Sequence, residues 1–134
     1  MCVNKPEMTL RVPGQREYAL VLRLALGGVA ILKDLDAGAL DDLRNASDEA
    51  CDCLLHQGRK AQWLELTVYD EGARLRVCLA ACFGEDECAA VEDETDITRA
   101  VLETLVPEVT IEQAECGCVG RIGLALPKAV AMGA

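Results

Sequence analysis

The first third of the chain carries one strand pattern and one helix pattern. Met8 to Val12 alternates between apolar and polar residues and ends at Pro13-Gly14, which predicts a short strand and a turn. From Tyr18 to Leu35 the apolar residues recur at helical spacing. Gly27-Gly28 interrupts them, so we expect a helix that either bends there or packs closely against a neighbour. The residues expected to share its buried face are Leu20, Leu24, Val29, Ile31, Leu32 and Leu35.

A second helix is predicted from about Ala37 to His56. Asp36 is a suitable N-cap, because a side-chain oxygen there can accept a hydrogen bond from a free amide of the first turn. Gly58 is a suitable stop. The residues expected to face the core, three and four apart, are Leu40, Leu43, Ala46, Ser47, Ala50, Cys51 and Leu54.

The second half of the chain changes to a period of two. Trp63 to Tyr69 and Arg74 to Ala80 alternate on either side of an Asp70-Glu71-Gly72 turn, which predicts a hairpin. A short helix and two more strands follow, at Asp96 to Leu105, Val109 to Ala114 and Val119 to Leu126. The order β-α-α-β-β-α-β-β predicts an α/β (α+β) sandwich, a single mostly antiparallel sheet with its helices on one face.

Composition and charge make several classes of function unexpected for this chain. A length of 134 residues suits a single domain, 1–134, whose last residues from Pro127 to Ala134 we expect to fray. A net charge of −10 repels phosphate backbones and anionic lipid, and 3% aromatic residues leave few platforms for stacking bases. Direct nucleic-acid binding is therefore not expected. The longest apolar run, Leu24 to Leu32, has nine residues against the roughly 20 of a membrane span, and we expect a cytoplasmic protein.

Eight cysteines make the chain cysteine-rich. No pair has the C-x-x-C spacing of a zinc knuckle or of a thioredoxin-like motif, although Cys51/Cys53 and Cys116/Cys118 form two C-x-C pairs. In a reducing compartment the default is a free thiol that packs as a small apolar side chain. No metal ligand set is assigned from these spacings.

The second helix also carries a line of polar residues away from its apolar stripe. Asn45, Glu49 and Cys53 are four apart and His56 is seven beyond Glu49, so all four can project from one side of the helix. They form the candidate site. The alternative is a solvated helix face, with His56 as a cation near the last carbonyls of the helix.

The segment from Asp41 to His56 resembles the signature helix of bacterial anti-sigma factor serine kinases, in the GHKL superfamily of histidine kinase-like ATPases. That helix reads roughly L-x-x-A-x-x-E-A-x-x-N-A-x-x-H. The residues that match it are Leu43, Ala46, Glu49 and Ala50, and His56 lies one position before the histidine of the pattern. The resemblance extends from Met8 to about Leu126 and implies the GHKL ATPase-like fold. It also implies that Asn45, Glu49, Cys53 and His56 line the nucleotide cleft.

The departures from the family pattern fall on the ATP site. The Mg²⁺-binding asparagine of the family falls on Cys53, and thiols are poor ligands for a cation that prefers oxygen. The first glycine box, with its adenine-binding aspartate, falls on Ala80 to Glu85, which has no aspartate. The second box falls on Asp96-Ile97-Thr98, where glycines should let backbone amides approach phosphates. Glu49 alone is retained, as a relic of the family's general base, which implies a degenerate member.

Three functions follow as hypotheses. The first is a regulator that resembles anti-sigma factors and acts by protein–protein binding, without a cofactor. The resemblance implies a sigma factor and an anti-anti-sigma protein as its partners, and a homodimer. The second is an active serine/threonine protein kinase that binds ATP and Mg²⁺ through an altered site, in which Asp86, Glu87 or Asp93 supplies the missing contacts. The third is a metal or redox-sensing domain built on Cys53, His56 and Glu49, with Cys82 or Cys88 as a further ligand.

Overall fold

The elements occur in the predicted order. The computed structural model describes residues 5–57, 60–83, 95–113 and 118–129. Its strands are β1 (Met8–Pro13), β2 (Ala61–Asp70), β3 (Arg74–Phe83), β4 (Glu108–Gln113) and β5 (Val119–Pro127). Its helices are α1 (Ala19–Leu32), α2 (Ala37–Leu55) and α3 (Thr95–Leu105), and a single 3₁₀ turn at Arg16–Tyr18 precedes α1. The predicted stop at Gly58 and the end of the fourth strand at Ala114 lie outside the described residues.

The five strands form one sheet in the order β1-β2-β3-β5-β4, and every neighbouring pair is antiparallel. The hairpin of β2 and β3 turns where the sequence predicts it. The Glu71 amide donates to the carbonyl of Arg74 at 3.0 Å, and a carboxylate oxygen of Asp70 accepts from the Gly72 amide at 3.0 Å. Gly72 has φ of +83°, a conformation in which a Cβ would be strained.

One face of the sheet is apolar and carries the helices. The buried residues of the three central strands alternate along each strand: Leu64, Leu66 and Val68; Leu75, Val77 and Leu79; Ile122, Leu124 and Leu126. Helix α2 packs against β3 and β5, and it also contacts both other helices, so it lies between α1 and α3. The α+β fold, with its helices on one face, is confirmed.

Helix α2 follows its sequence pattern closely. The Asp36 carboxylate accepts a hydrogen bond from the Ala39 amide at 2.7 Å, so the predicted N-cap is confirmed. The buried residues are Leu43, Ala46, Ser47, Ala50, Cys51 and Leu54, and Leu40 is half-buried against them. The helix ends at Leu55, one residue before His56.

The face of helix α1 that packs against the core differs from the predicted face. Its buried residues are Leu22, Leu26 and Ala30. Of the six residues expected inside, Leu35 is buried, after the helix end, and Val29 is half-buried. The other four are exposed: Leu20, Leu24, Ile31 and Leu32. The prediction of this face is wrong because every residue of α1 except Arg23 is apolar, so periodicity cannot select one side. The helix runs unbroken through Gly27 and Gly28, and apart from the adjoining residues and backbone of α1 itself no described atom lies within 4 Å of a Cβ placed at either position.

The chain beyond β5 is anchored as far as Ala129. Pro127 is the last residue of β5. The Lys128 amide donates to the carbonyl of Ala73 at 2.9 Å, and the Ala129 amide donates to the carbonyl of Asp34 at 2.9 Å. Residues 130–134 lie outside the described part, so the fraying of the tail stays a prediction.

Candidate functional site

The candidate residues of α2 form a line that begins on its solvent side at Asn45 and ends against the core at Cys53. Asp48 of α2 pairs with Arg23 of α1, with 3.3 Å between Nη1 and Oδ2. Each helical residue turns about 100°, so Cys53 lies about 140° around the helix from Asp48. Because α2 lies between α1 and α3, we infer that Cys53 borders the space between α2 and α3. Asn45 lies about 60° from Asp48, on the solvent side of α2, and Glu49 lies between Asn45 and Cys53.

The four residues differ in burial. Asn45 is exposed and Glu49 is half-buried. Cys53 is half-buried and packs against the hydrophobic core. His56 is exposed and lies at the C-cap of α2, outside the helix, with its amide donating to the carbonyl of Asp52 at 2.9 Å. The helical spacing therefore holds for Asn45, Glu49 and Cys53, while His56 departs from it at the helix end.

The described residues do not assemble a metal site. Among them, no group of three or more His, Cys, Asp and Glu side chains could hold a metal ion. Cys82, half-buried near the end of β3, adds no such group to Cys53 and His56. The other residues named as further ligands, Asp86, Glu87, Cys88 and Asp93, lie outside the described residues.

The second glycine-box position is the first turn of α3. The first turn of a helix has amides without intrahelical partners, and these can bind phosphate only if backbone can approach closely. Here Asp96 and Ile97 are exposed and Thr98 is buried, with 7% of its surface accessible. The negative charge of the Asp96 carboxylate interacts favourably with the positive end of the helix dipole. The same charge repels a phosphate that approaches the first turn of α3. Of the first box, Ala80 to Phe83 belong to β3, and the remainder lies outside the described residues.

Two of the described thiols, Cys51 and Cys78, have a raised pKa. Burial, with a smaller contribution from the nearby carboxylates of Asp48 and Asp52, raises the pKa of Cys51 to about 12. Burial also raises the pKa of Cys78 on the outer face of the sheet. Since the thiolate is the reactive and metal-binding form, these two cysteines behave as small packing residues.

Gln57 is a structural residue that the sequence pattern does not reveal. Its side-chain amide donates to the carbonyl of Val119 at 2.8 Å, and its oxygen accepts from the Val119 amide at 2.5 Å. The Gln57 side chain therefore makes the two backbone hydrogen bonds that a neighbouring strand would make to Val119, and it links the end of α2 to the start of β5. The two residues are 62 positions apart, so no local pattern predicts the contact.

Comparisons with known proteins bear on the fold. No family model and no curated protein sequence matches the chain. Among solved structures, the chain is similar to the RsbU and RsbW domains of Rv1364c from Mycobacterium tuberculosis, with a TM-score of 0.62 and 16% identity. The match covers 94% of this chain and 35% of that one, so the chain spans about a third of its length. The similar region is the RsbW domain, and the likeness shows that this chain has the same α+β fold.

Proposed function

We propose that this chain is a cytoplasmic regulator of the anti-sigma type, which acts by binding a protein and has lost Mg·ATP chemistry. The observation that carries the proposal is the first turn of α3, where side chains and a carboxylate stand in place of a glycine phosphate loop. The RsbW-like fold supports the anti-sigma type.

Two residues of α2, Cys53 and Glu49, support the proposed loss of phosphotransfer. Mg²⁺ takes oxygen ligands, whereas Cys53 offers sulfur and packs against the core. Phosphoryl transfer depends on positioning the phosphates and neutralising their charge. Glu49 alone supplies neither, so we interpret it as a relic of a general base.

The charge of the molecule supports a basic protein partner. The net charge is −10, and the solvent side of α2 carries exposed carboxylates at Asp41, Asp42 and Asp52. Opposite charges accelerate association and disfavour acidic competitors. The proposed partner is a sigma factor, because the DNA-binding regions of sigma factors are basic. An anti-anti-sigma protein would compete for this chain and release the sigma factor.

The nucleotide part of the proposal is tested by thermal unfolding in reductant, with and without 1 mM Mg·ATP. We expect no shift of the midpoint relative to 1 mM MgCl₂ alone. A ligand at 100 times its dissociation constant would stabilise the fold by about 2.7 kcal/mol, a shift of several degrees. Such a shift would contradict the proposal and favour the kinase alternative, with Asp86, Glu87 or Asp93 as the source of the missing oxygen ligands.

The partner part is tested with purified sigma factors from the source organism. We expect one of them to form a complex with this chain in sedimentation experiments, and we expect raising NaCl from 50 to 200 mM to weaken it. If none of the sigma factors binds at either salt concentration, the anti-sigma assignment is wrong even if the nucleotide result is as expected.

The relic role of Glu49 is tested in the same binding assay. Glu49→Ala should change the dissociation constant for the sigma factor by less than about twofold, because a lost catalytic base has no part in protein binding. Asp41→Ala, on the exposed acidic side of the same helix, is the comparison variant and should weaken the complex at 50 mM NaCl. A loss of binding in Glu49→Ala that matches or exceeds that of Asp41→Ala would contradict the relic role.

A further inference from the structure

The solvent side of α1 carries a ridge of exposed apolar side chains. Since each helical residue turns about 100°, the members of this ridge lie within about 60° of one another around α1. They are Leu20, Leu24 and Ile31, with 58%, 64% and 64% of their surface accessible, and Gly27 between them. We call these four residues the α1 ridge. It extends along the helix for about 17 Å, or three turns.

A line of carboxylates on α2 runs beside the α1 ridge. Asp41, Asp48 and Asp52 lie within about 40° of one another around α2, and we call them the α2 acidic line. Asp48 pairs with Arg23 of α1 at 3.3 Å, which places the line next to α1. Around α1, Arg23 lies between the buried residues and the ridge. The ridge and the line are therefore the two solvent-side walls of the groove between α1 and α2.

The two walls match along their length. Only residues 33–36 connect α1 to α2, so the two helices are antiparallel. Counted from the ion pair between them at about 1.5 Å per residue, Ile31 lies level with the turn that carries Asp41, and Leu20 lies level with the turn that carries Asp52. Each end of the apolar wall therefore has a carboxylate beside it.

The geometry points to a basic amphipathic helix of a protein partner as the occupant of this groove. Such a helix would set apolar side chains at helical spacing on the α1 ridge and Lys or Arg side chains along the α2 acidic line. Gly27 leaves room for close approach, because apart from the adjoining residues and backbone of α1 no described atom lies within 4 Å of a Cβ built there. The inference rests on the proposed function, in that the helix belongs to the proposed basic partner.

Charge selects a basic helix over other occupants. Helix α2 has four aspartates and one glutamate against one arginine, and α1 adds one arginine, so five carboxylates against two cations give the pair a net charge of −3. Within the described part of the chain, neither Asp41 nor Asp52 forms an ion pair. An acidic helix would be repelled by them. A second copy of α1 would offer only Arg23, which Asp48 already engages.

The test measures the binding of a synthetic helix to the full chain by fluorescence anisotropy. The probe is a labelled peptide of about 14 residues that contains only leucine and lysine, with the leucines at helical spacing. The control peptide has the same composition in strict alternation, which is the pattern of a strand. We expect the helical pattern to bind at least about 10-fold more tightly. Equal binding of the two peptides would overturn the inference.

Two matched pairs of variants locate the bound peptide. Leu24→Gln and Ile97→Gln each replace a side chain with 64% of its surface accessible, and Asp52→Asn and Glu103→Gln each remove one exposed carboxylate. Ile97 and Glu103 are on α3 and serve as the controls. We expect the dissociation constant to rise about 10-fold in Leu24→Gln and about threefold in Asp52→Asn, and less than about twofold in the α3 variants. Equal effects within either pair would overturn the inference, because the peptide would then bind elsewhere or through total charge.

Competition with the sigma factor separates this inference from the proposed function. We expect the peptide to displace the bound sigma factor and Leu24→Gln to weaken the sigma-factor complex. A complex that both leave unchanged would overturn the inference while the proposed function stands. Peptide binding that depends on Leu24, with no sigma factor bound, would overturn the proposed function alone. A chain that sediments without peptide at twice 14.4 kDa, and at 14.4 kDa after Leu24→Gln, would assign the ridge to a second copy and overturn the inference.

Discussion

Asp70 joins three parts of the chain at one end of the sheet. Its carboxylate pairs with Lys33, which follows α1, at 3.4 Å, and with Lys128, which follows β5. It also accepts from the Gly72 amide in the hairpin turn. Lys128 is the main cause of a lowered pKa for Asp70, about 2, with the Gly72 amide and Lys33 acting in the same direction. The ionised form is therefore the one that the fold stabilises.

This network predicts how stability depends on acid. A carboxyl whose pKa is lowered in the folded state contributes stability above its unfolded pKa of about 4, and the contribution is lost as pH falls toward 2. We expect Asp70→Asn to unfold at a lower temperature than wild type at pH 7, with the gap closing between pH 4 and pH 2. Thermal unfolding monitored by circular dichroism at each pH measures it. Asp41→Asn, at an exposed site on α2, is the control, and a gap for Asp70→Asn that stays constant with pH would contradict the explanation.

At this scale, sequence reasoning succeeds where the partner is local. The Asp36 cap is predictable because its acceptor and the Ala39 donor are three residues apart. The contacts of Asp70 with Lys128 and of Gln57 with Val119 span 58 and 62 residues. Such contacts form only when distant parts of the chain come together in the sheet, so no local sequence pattern predicts them.

Among the elements, α1 and α2 show what periodicity can decide. Helix α2 has carboxylates on one side and apolar residues on the other, so its buried residues follow from spacing. Helix α1 offers apolar residues to every side, so spacing predicts the helix and leaves its orientation open.

The cap of α2 gives a prediction at the scale of one element. Asp36→Ala removes the side-chain acceptor of the Ala39 amide and should lower the free energy of unfolding by about 1 kcal/mol, or the thermal midpoint by about 4 °C. Asp36→Asn keeps an oxygen acceptor and should remain close to wild type. Denaturant titration of the three proteins gives the comparison. An equal loss in both variants would mean that the charge of Asp36, and not its hydrogen bond, stabilises the helix.

At the scale of the whole molecule, the fold is more predictable than the site. Alternation, helical spacing and turn residues agree on eight elements. The strand order does not follow from the sequence in the same way, because β5 lies between β3 and β4, which are consecutive in the chain. The chemistry of the site depends on a few positions, at which other side chains stand in place of the family's residues that bind ATP and Mg²⁺. Cys53 and Asp96 are visible in the sequence as departures, and the place of Asp96 at a helix start is predicted there too. The packing of Cys53 against the core could be found only from the structure.

The charge of the whole molecule leads to a final prediction. With a net charge of −10, self-repulsion opposes folding, and its range shrinks from about 30 Å at 0.01 M salt to about 10 Å at 0.1 M. We therefore expect the thermal midpoint to rise between 10 and 200 mM NaCl. Replacing Asp41, Asp42 and Asp52 together by Asn changes the net charge from −10 to −7 and should flatten this rise, and it should also weaken sigma-factor binding at 50 mM NaCl. A midpoint that falls with added salt would instead mean that ion pairs such as those of Lys33 and Lys128 outweigh the repulsion.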